Sequence, residues 1–185
     1  ARAGADQLVL FRRLDRTHPH RRLGDIDELH PRQGRFQRLA VIDRADLAPA
    51  LDLAAQFRAT RALTEALVAP LSDADASIQS MPDASPAKWH LAHTTWFWET
   101  FLLREHAPGY RLHNEAWPFL FNSYYEAEGA RIARDARGML SRPALAEVLE
   151  WRAVVSEAMT PLLDDPALAP LIALGVAHEQ QHIDV

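Results

Sequence analysis

Apolar residues recur at intervals of three and four along four stretches of this chain, and that spacing limits the fold more than any other feature. Such a period gives a helix one buried face. The stretches cover residues 45–71, 86–106, 141–163 and the segment from 165 onward. No segment alternates apolar and polar residues convincingly, as a half-buried strand does. The sequence therefore predicts an all-α fold, a bundle of four helices of about 20 residues each.

Proline and serine mark the predicted helix starts. Ser85-Pro86 and Ser141-Arg142-Pro143 are typical of such starts, because a serine side chain caps the first turn and proline is favoured within it. Asp165-Pro166 is expected to open the fourth helix, which continues to the last residue. Between helices two and three, residues 110–140 predict a long irregular link that is rich in aromatic residues. One short helix is predicted in that link near residues 121–127.

The composition fits one globular domain. The chain has 185 residues, 48% of them apolar, with five Trp and seven Phe, which is enough for a sizeable core. The lack of cysteine excludes disulfides, thiolate metal sites and a cysteine nucleophile. There is no run of about 18 apolar residues, and the first residues lack the apolar core of a signal peptide. A cytoplasmic protein with no membrane segment is therefore expected.

Residues 1–44 differ in charge from the rest of the chain. They carry ten Arg and six acidic residues, a net charge of +4, whereas residues 45–185 carry ten basic and nineteen acidic residues, a net charge of −9. This stretch has no sustained helical or strand period. A basic arm for nucleic acid is one interpretation, but the interleaved acids and the lack of Lys argue against it. We expect a poorly ordered extension, with the domain spanning residues 45–185.

His178 and His182 stand four residues apart in the last predicted helix. That spacing places two imidazoles on one helix face, about 6 Å apart along the axis, where they can bind one metal ion. They continue the apolar stripe of the helix and should point into the core. Two hydrogen-bonded core histidines are an equally open interpretation. Glu179 follows the first histidine as in zinc proteases, but the flanking amides give no reason to make it a general base.

A third histidine is available in the second predicted helix. His93 lies at the centre of its aromatic face and His90 lies toward the edge. A bundle that brings His93 to the His178/His182 pair would form a three-histidine site. Three neutral imidazoles suit Zn, Fe, Ni or Cu, and the spacing does not choose among them. Because only neutral imidazole binds a metal, the affinity should fall below about pH 6.5.

Four sequence blocks in order resemble the N-terminal DinB-like domain of the ergothioneine-biosynthesis sulfoxide synthases, the hercynine oxygenases. The blocks are SPAKWHLAHTTWFWETF from Ser85, FNSYYE from Phe121, RGMLSRP from Arg137 and HEQQH from His178. The resemblance covers roughly residues 50–185. It implies a DinB-like bundle that holds one non-haem iron(II) by three histidines.

The resemblance also assigns individual residues. It implies that the iron ligands are His93, His178 and His182, and that Gln181 helps to bind hercynine, a trimethylated histidine. Basic residues of the link, Arg131 and Arg134 among them, would meet substrate carboxylates. Solvated charges at the ends of the bundle are an open alternative for each arginine.

Enzymes of this family use O2 to join a thiol, γ-glutamylcysteine or cysteine, to the imidazole carbon of hercynine, which gives a sulfoxide. In the family a formylglycine-generating-enzyme-like domain follows the bundle and supplies the catalytic tyrosine. The resemblance thus implies the iron-binding half of a C–S bond-forming oxidoreductase, truncated before that domain and inactive alone. Two other functions stay open. They are a DinB-like thiol transferase or hydrolase that uses Zn or Ni, and a non-catalytic helical module.

Overall fold

The computed structural model describes residues 52–183, apart from the side chain of Glu126. Within these residues the chain is helical and has no strand, so the predicted all-α fold is confirmed. The helices are α1 (Leu53–Val68), α2 (Asp73–Ser77), α3 (Ala87–Trp98), α4 (Arg104–His106), α5 (Trp117–Phe121), α6 (Leu145–Met159) and α7 (Ala169–Gln181). The segment Glu99–Leu103 is a π-helix that joins α3 to α4. Short 3₁₀ turns cover Glu126–Glu128, Arg134–Met139 and Thr160–Leu162.

Helix α3 lies at the centre of the domain. All residues from Leu91 to Leu103 are buried, on every side of the helix and its π-helical extension. The sequence explains this position, because aromatic, aliphatic and threonine side chains occupy all faces of α3, and a helix that is apolar all round belongs inside a core. Helices α1, α6 and α7 pack against it, and α5 covers a further part of its surface. The four long helices, α1, α3, α6 and α7, are those that the apolar period predicts.

Helix α7 approaches α3 closely at Gly175. A Cβ atom added at this position would lie 2.5 Å from the Trp98 ring, which is closer than any van der Waals contact allows. Trp98 is itself held by a hydrogen bond from its indole Nε1 to Glu179, at 2.9 Å. The missing side chain at Gly175 therefore sets the distance between the two helices that carry His93 and His178.

Replacing Gly175 by alanine should lower the free energy of unfolding by roughly 1–3 kcal/mol, because the added methyl group overpacks a core that has no room for it. Chemical denaturation measures this change. Ala177→Ser is a matched control, since residue 177 is exposed on the same helix and such changes stay within about 0.5 kcal/mol. Equal stability of the Gly175→Ala variant and the parent would show that α3 and α7 are not tightly packed here.

Several predicted helix boundaries are wrong. Helix α3 begins at Ala87, and Ser85 does not cap it. The Ser85 hydroxyl instead accepts a hydrogen bond from the Arg137 guanidinium, at 2.8 Å. Ser141 does not cap α6 either. That helix begins at Leu145, and the backbone N–H of Ala144 donates to the Glu147 carboxylate.

The last helix and the link also differ from prediction. Helix α7 begins at Ala169, three residues after the predicted Asp165-Pro166 start, and it ends at Gln181. His182 is thus the residue that follows the helix. In the link the short helix is α5, which ends at Phe121 where the predicted helix would begin. Pro118 in its first turn favours that start.

Two other predictions concern residues 1–44 and the membrane. Residues 1–44 lie outside the described part of the chain, so their exclusion from the fold stays a prediction. Among the described residues, no helix is long and apolar enough to cross a membrane.

Candidate metal centre

Three histidines from two helices meet inside the bundle. His93 lies in the middle of α3, His178 lies in the last turns of α7, and His182 directly follows α7. Each can offer one ring nitrogen such that the three atoms lie within 4.8 Å of one another. The ring centroids are 4.8–5.0 Å apart in all three pairs. The first two rings are buried and the third is partly buried.

The distance between His93 and His178 fits two ligands of one metal ion. Their Nε2 atoms are 3.2 Å apart. Two imidazole nitrogens that each bind a metal at 2.0–2.1 Å are separated by about 3.0–3.4 Å, depending on the coordination angle. A hydrogen bond between the same two atoms is the alternative account of this distance, and it requires one of them to carry a proton.

The other nitrogen of the His93 ring shows that His93 Nε2 does not carry that proton, so in this alternative His178 Nε2 would be the donor. His93 Nδ1 lies 2.6 Å from the backbone carbonyl oxygen of Phe121. A carbonyl only accepts, so Nδ1 carries the hydrogen and the neutral ring has its lone pair on Nε2. Helix α5 ends at Phe121, and this places the carbonyl toward α3. Such a backbone acceptor behind a histidine is a common support for a metal ligand.

Aromatic rings fix the orientation of the two buried histidines. Trp89 and Trp96 stack on the His93 ring, with centroids 4.6 and 5.4 Å away. Phe97 stacks on the His178 ring at 4.6 Å. These contacts hold the imidazole planes without using their nitrogens. Among the described residues, His178 Nδ1 is buried and has no hydrogen-bond partner.

Burial keeps all three rings neutral. It lowers the pKa of His178 to about 4 and that of His182 to about 3, and it lowers the pKa of His93 well below the usual value. The neighbouring histidines lower the pKa of His93 and His182 further, since a second positive charge nearby is unfavourable. At neutral pH the cluster therefore presents unprotonated nitrogens.

The stability of the metal-free protein should fall as the pH drops from about 6.5 toward about 4. In this window the unfolded chain protonates these histidines and the folded chain does not, so protons favour unfolding, by about 1.4 kcal/mol per pH unit for each histidine. Urea denaturation at several pH values measures the slope. His178→Asn should flatten it, while His113→Asn, at an exposed position, serves as the control.

The lowered pKa values also move the expected pH limit of metal binding. The ordinary pKa of imidazole places that limit near pH 6.5, whereas the folded cluster resists protons down to about pH 4. Metal affinity that already declined steeply between pH 7 and 6 would contradict the buried, neutral state of the rings.

Glu179 is held in a buried network and is not available as a base. Its carboxylate accepts hydrogen bonds from Trp98, Thr64, Arg61 and Arg152. Burial raises its pKa, but the two guanidinium groups outweigh this and lower the pKa to about 2. The network joins α1, α3, α6 and α7 beside the histidines. Sequence reasoning missed it, although two arginines in otherwise apolar helical stretches were a visible signal.

The predicted substrate residues lie apart from the three rings. Gln181 is exposed in the last turn of α7. Arg131 and Arg134 are exposed, and both place their guanidinium over the Tyr124 ring, at 5.4 and 5.3 Å. Among the described residues, none of the three has a hydrogen bond to the histidine cluster. Arg134 is close enough that its charge lowers the pKa of His182. Their role in binding substrate stays a prediction.

His90 contacts the cluster from its edge. Its Nδ1 lies 2.8 Å from Nδ1 of His182, and their ring centroids are 5.0 Å apart. The ring is partly buried, and burial lowers its pKa to about 4. A pocket of about 150 Å³ adjoins this pair, and it is lined by side chains of α1 and α3. The structure thus places His90 next to a candidate ligand but outside the three-histidine cluster.

The sequence model of the DinB superfamily matches residues 56–185 of this chain. No curated protein matches the chain. Because the family match covers more than half of the chain, including all three clustered histidines, the chain belongs to the DinB superfamily.

Proposed function

We propose that this member of the DinB superfamily binds one iron(II) ion through His93, His178 and His182. We further propose that it is the metal-binding half of an O2-dependent sulfoxide synthase, which joins γ-glutamylcysteine or cysteine to hercynine. The observation that carries the proposal is the convergence of three histidine ring nitrogens within 4.8 Å of one another. The four sequence blocks that resemble the synthases support the choice of reaction.

The residues present fit a metal ion. Two ring nitrogens face each other at 3.2 Å, and the Phe121 carbonyl leaves the lone pair of His93 directed at His178. No acidic residue joins the cluster among the described side chains, so the three histidine ligands are neutral. His93, His178 and His182 would hold iron(II) on one side, and the metal would then bind a thiolate, O2 and a substrate nitrogen.

The chain's own residues have distinct tasks in this proposal. The tryptophans and Phe97 hold the imidazole planes and exclude water from the buried side of the cluster. Arg131 and Arg134 offer exposed guanidinium groups that suit the carboxylates of the thiol substrate. The exposed amide of Gln181, one residue before His182, would contact hercynine. The acid that completes the reaction is expected from the formylglycine-generating-enzyme-like domain.

A second candidate function is a thiol transferase that uses zinc or nickel. Three histidines and one open position form a common catalytic zinc site, so the cluster geometry is compatible with it. In that case the metal would lower the pKa of a bound thiol or water. The sequence blocks favour the synthase, and metal identity separates the two functions.

Metal analysis of the chain, purified without added metal and without oxygen, tests the proposal. Iron at about one ion per chain supports the synthase. Zinc or nickel in place of iron, with tight binding, favours the transferase. If the chain contains no metal as purified and binds neither iron(II), zinc nor nickel when they are added, the histidines are hydrogen-bonded core residues. The His178→Ala variant is the control for metal bound elsewhere on the surface.

A turnover assay tests the reaction class. Iron-loaded chain is mixed with hercynine, γ-glutamylcysteine and O2, alone and after fusion to a formylglycine-generating-enzyme-like domain of the synthase family. We expect the sulfoxide product only with the fused domain, since positioning and proton transfer together account for several kcal/mol of a typical barrier. Thiol transfer to an electrophile by the zinc form, without sulfoxide from any iron form, would overturn the synthase assignment.

A further inference from the structure

His90 and His182 face each other through the same ring atom. Their Nδ1 atoms are 2.8 Å apart, which is hydrogen-bond distance and requires one of the two atoms to carry a proton. His90 lies on α3, one turn before His93, and His182 directly follows α7. The bond therefore links the same two helices that carry the metal cluster. Its direction decides which nitrogen of His182 is free.

The hydrogen bond to His90 also decides which nitrogen of His182 is left for a metal. Because Nδ1 of His182 faces Nδ1 of His90, the nitrogen that remains to bind a metal is Nε2. A neutral imidazole carries one hydrogen, so Nε2 of His182 can bind a metal only when that hydrogen is on Nδ1. In that state Nδ1 of His182 donates to Nδ1 of His90, which has the lone pair.

We propose that His90 is a positioning residue of the metal centre, which accepts the Nδ1 hydrogen of His182 and so presents Nε2 of His182 to the metal. This inference rests on the proposed metal-binding function. It gives His182 the support that the Phe121 carbonyl gives His93. In both cases an acceptor behind the ring fixes the tautomer and the orientation of a ligand.

The start of α3, which carries His90, is itself held in place. Ser85 immediately precedes Pro86, the N-cap residue of α3. Its hydroxyl accepts a hydrogen bond from Arg137, and the Arg137 guanidinium lies 3.5 Å from the centre of the Trp89 ring. His90 is therefore carried by a helix end that is attached to the buried core.

The tautomer of His182 in the metal-free protein tests the inference without any metal. Nitrogen-15 NMR of the imidazoles distinguishes a ring protonated on Nδ1 from one protonated on Nε2. We expect the Nδ1 form for His182 in the parent chain. His90→Leu removes the acceptor and should produce a mixture of both forms, whereas His90→Asn should restore the Nδ1 form, because its amide oxygen can take the place of Nδ1. His113→Leu, an exposed histidine, should change nothing.

Metal affinity is the second readout. Loss of the residue that hydrogen-bonds to a ligating histidine typically lowers metal affinity 10- to 100-fold. His90→Leu should therefore weaken zinc or iron(II) binding by about that factor, and His90→Asn should recover most of the affinity. Protonation of His182 on Nε2 in the parent chain would overturn the inference. So would a His90→Leu variant in which His182 has the same tautomer and the metal has the same affinity as in the parent chain. A parent chain with the expected tautomer that binds no metal would instead overturn the proposed metal centre.

Discussion

Replacing His182 by alanine should remove nearly all of the bound metal while leaving the fold in place. The side chain is one of three candidate ligands, and it follows the end of α7 in a partly buried position, so its loss removes neither a helical residue nor a fully buried side chain. Loss of a ligand should weaken metal binding more than loss of the residue that hydrogen-bonds to that ligand. We therefore expect at least about a 1,000-fold drop in metal affinity. Equilibrium titration with zinc or iron(II) under anaerobic conditions measures it.

Two variants complete the His182→Ala experiment. His93→Ala should abolish metal binding equally, and His113→Ala, at an exposed position, should leave it unchanged. Circular dichroism of each variant checks that the helices persist. If His90→Ala strips the metal and His93→Ala does not, the ligand set is wrong and His90 has to replace His93 in it.

Replacing Glu179 by alanine should destabilise the metal-free domain by about 3–5 kcal/mol. The change leaves Arg61 buried without its carboxylate partner and Arg152 with only the partly exposed Glu65, and an uncompensated buried charge is among the costliest defects in a core. Since domains are stable by only about 5–15 kcal/mol, the variant should unfold at much lower urea concentration. Thermal and urea denaturation of the metal-free protein give the value.

Glu65 provides the matched control for the Glu179 variant. Its carboxylate also accepts a hydrogen bond from Arg152, at 3.0 Å, but it is 46% exposed. Glu65→Ala should lower the free energy of unfolding by no more than about 1 kcal/mol, because water replaces the lost interaction. Similar costs for Glu65→Ala and Glu179→Ala would mean that the buried network is not what joins the four long helices.

The apolar period was sufficient to predict the fold class and the helices that carry the cluster. His178 continues the buried stripe of α7, and His93 lies on the aromatic face of α3, so their inward orientation followed from spacing alone. Helix ends were harder to predict. Ser85 and Ser141 are good caps in isolation, but tertiary partners take the Ser85 hydroxyl, and α6 begins only at Leu145.

The buried charges and the His90 contact could not be predicted from local pattern. Arg61 and Glu179 are 118 residues apart in sequence, and each alone resembles a charge on a solvated helix face. Their pairing depends on how α1 and α7 are placed around α3. Likewise His90 lies at the edge of the aromatic face of its helix. It forms a hydrogen bond there only because His182, just after the end of α7, lies opposite it.

Crystals of the metal-loaded chain, with X-ray data recorded at the absorption edge of the metal, give the most direct test of the three-histidine centre. We predict a single anomalous peak about 2 Å from one ring nitrogen each of His93, His178 and His182. A peak bound by other residues would contradict this account. So would ordered histidines with no peak between them and with Nε2 of His93 still hydrogen-bonded to Nε2 of His178.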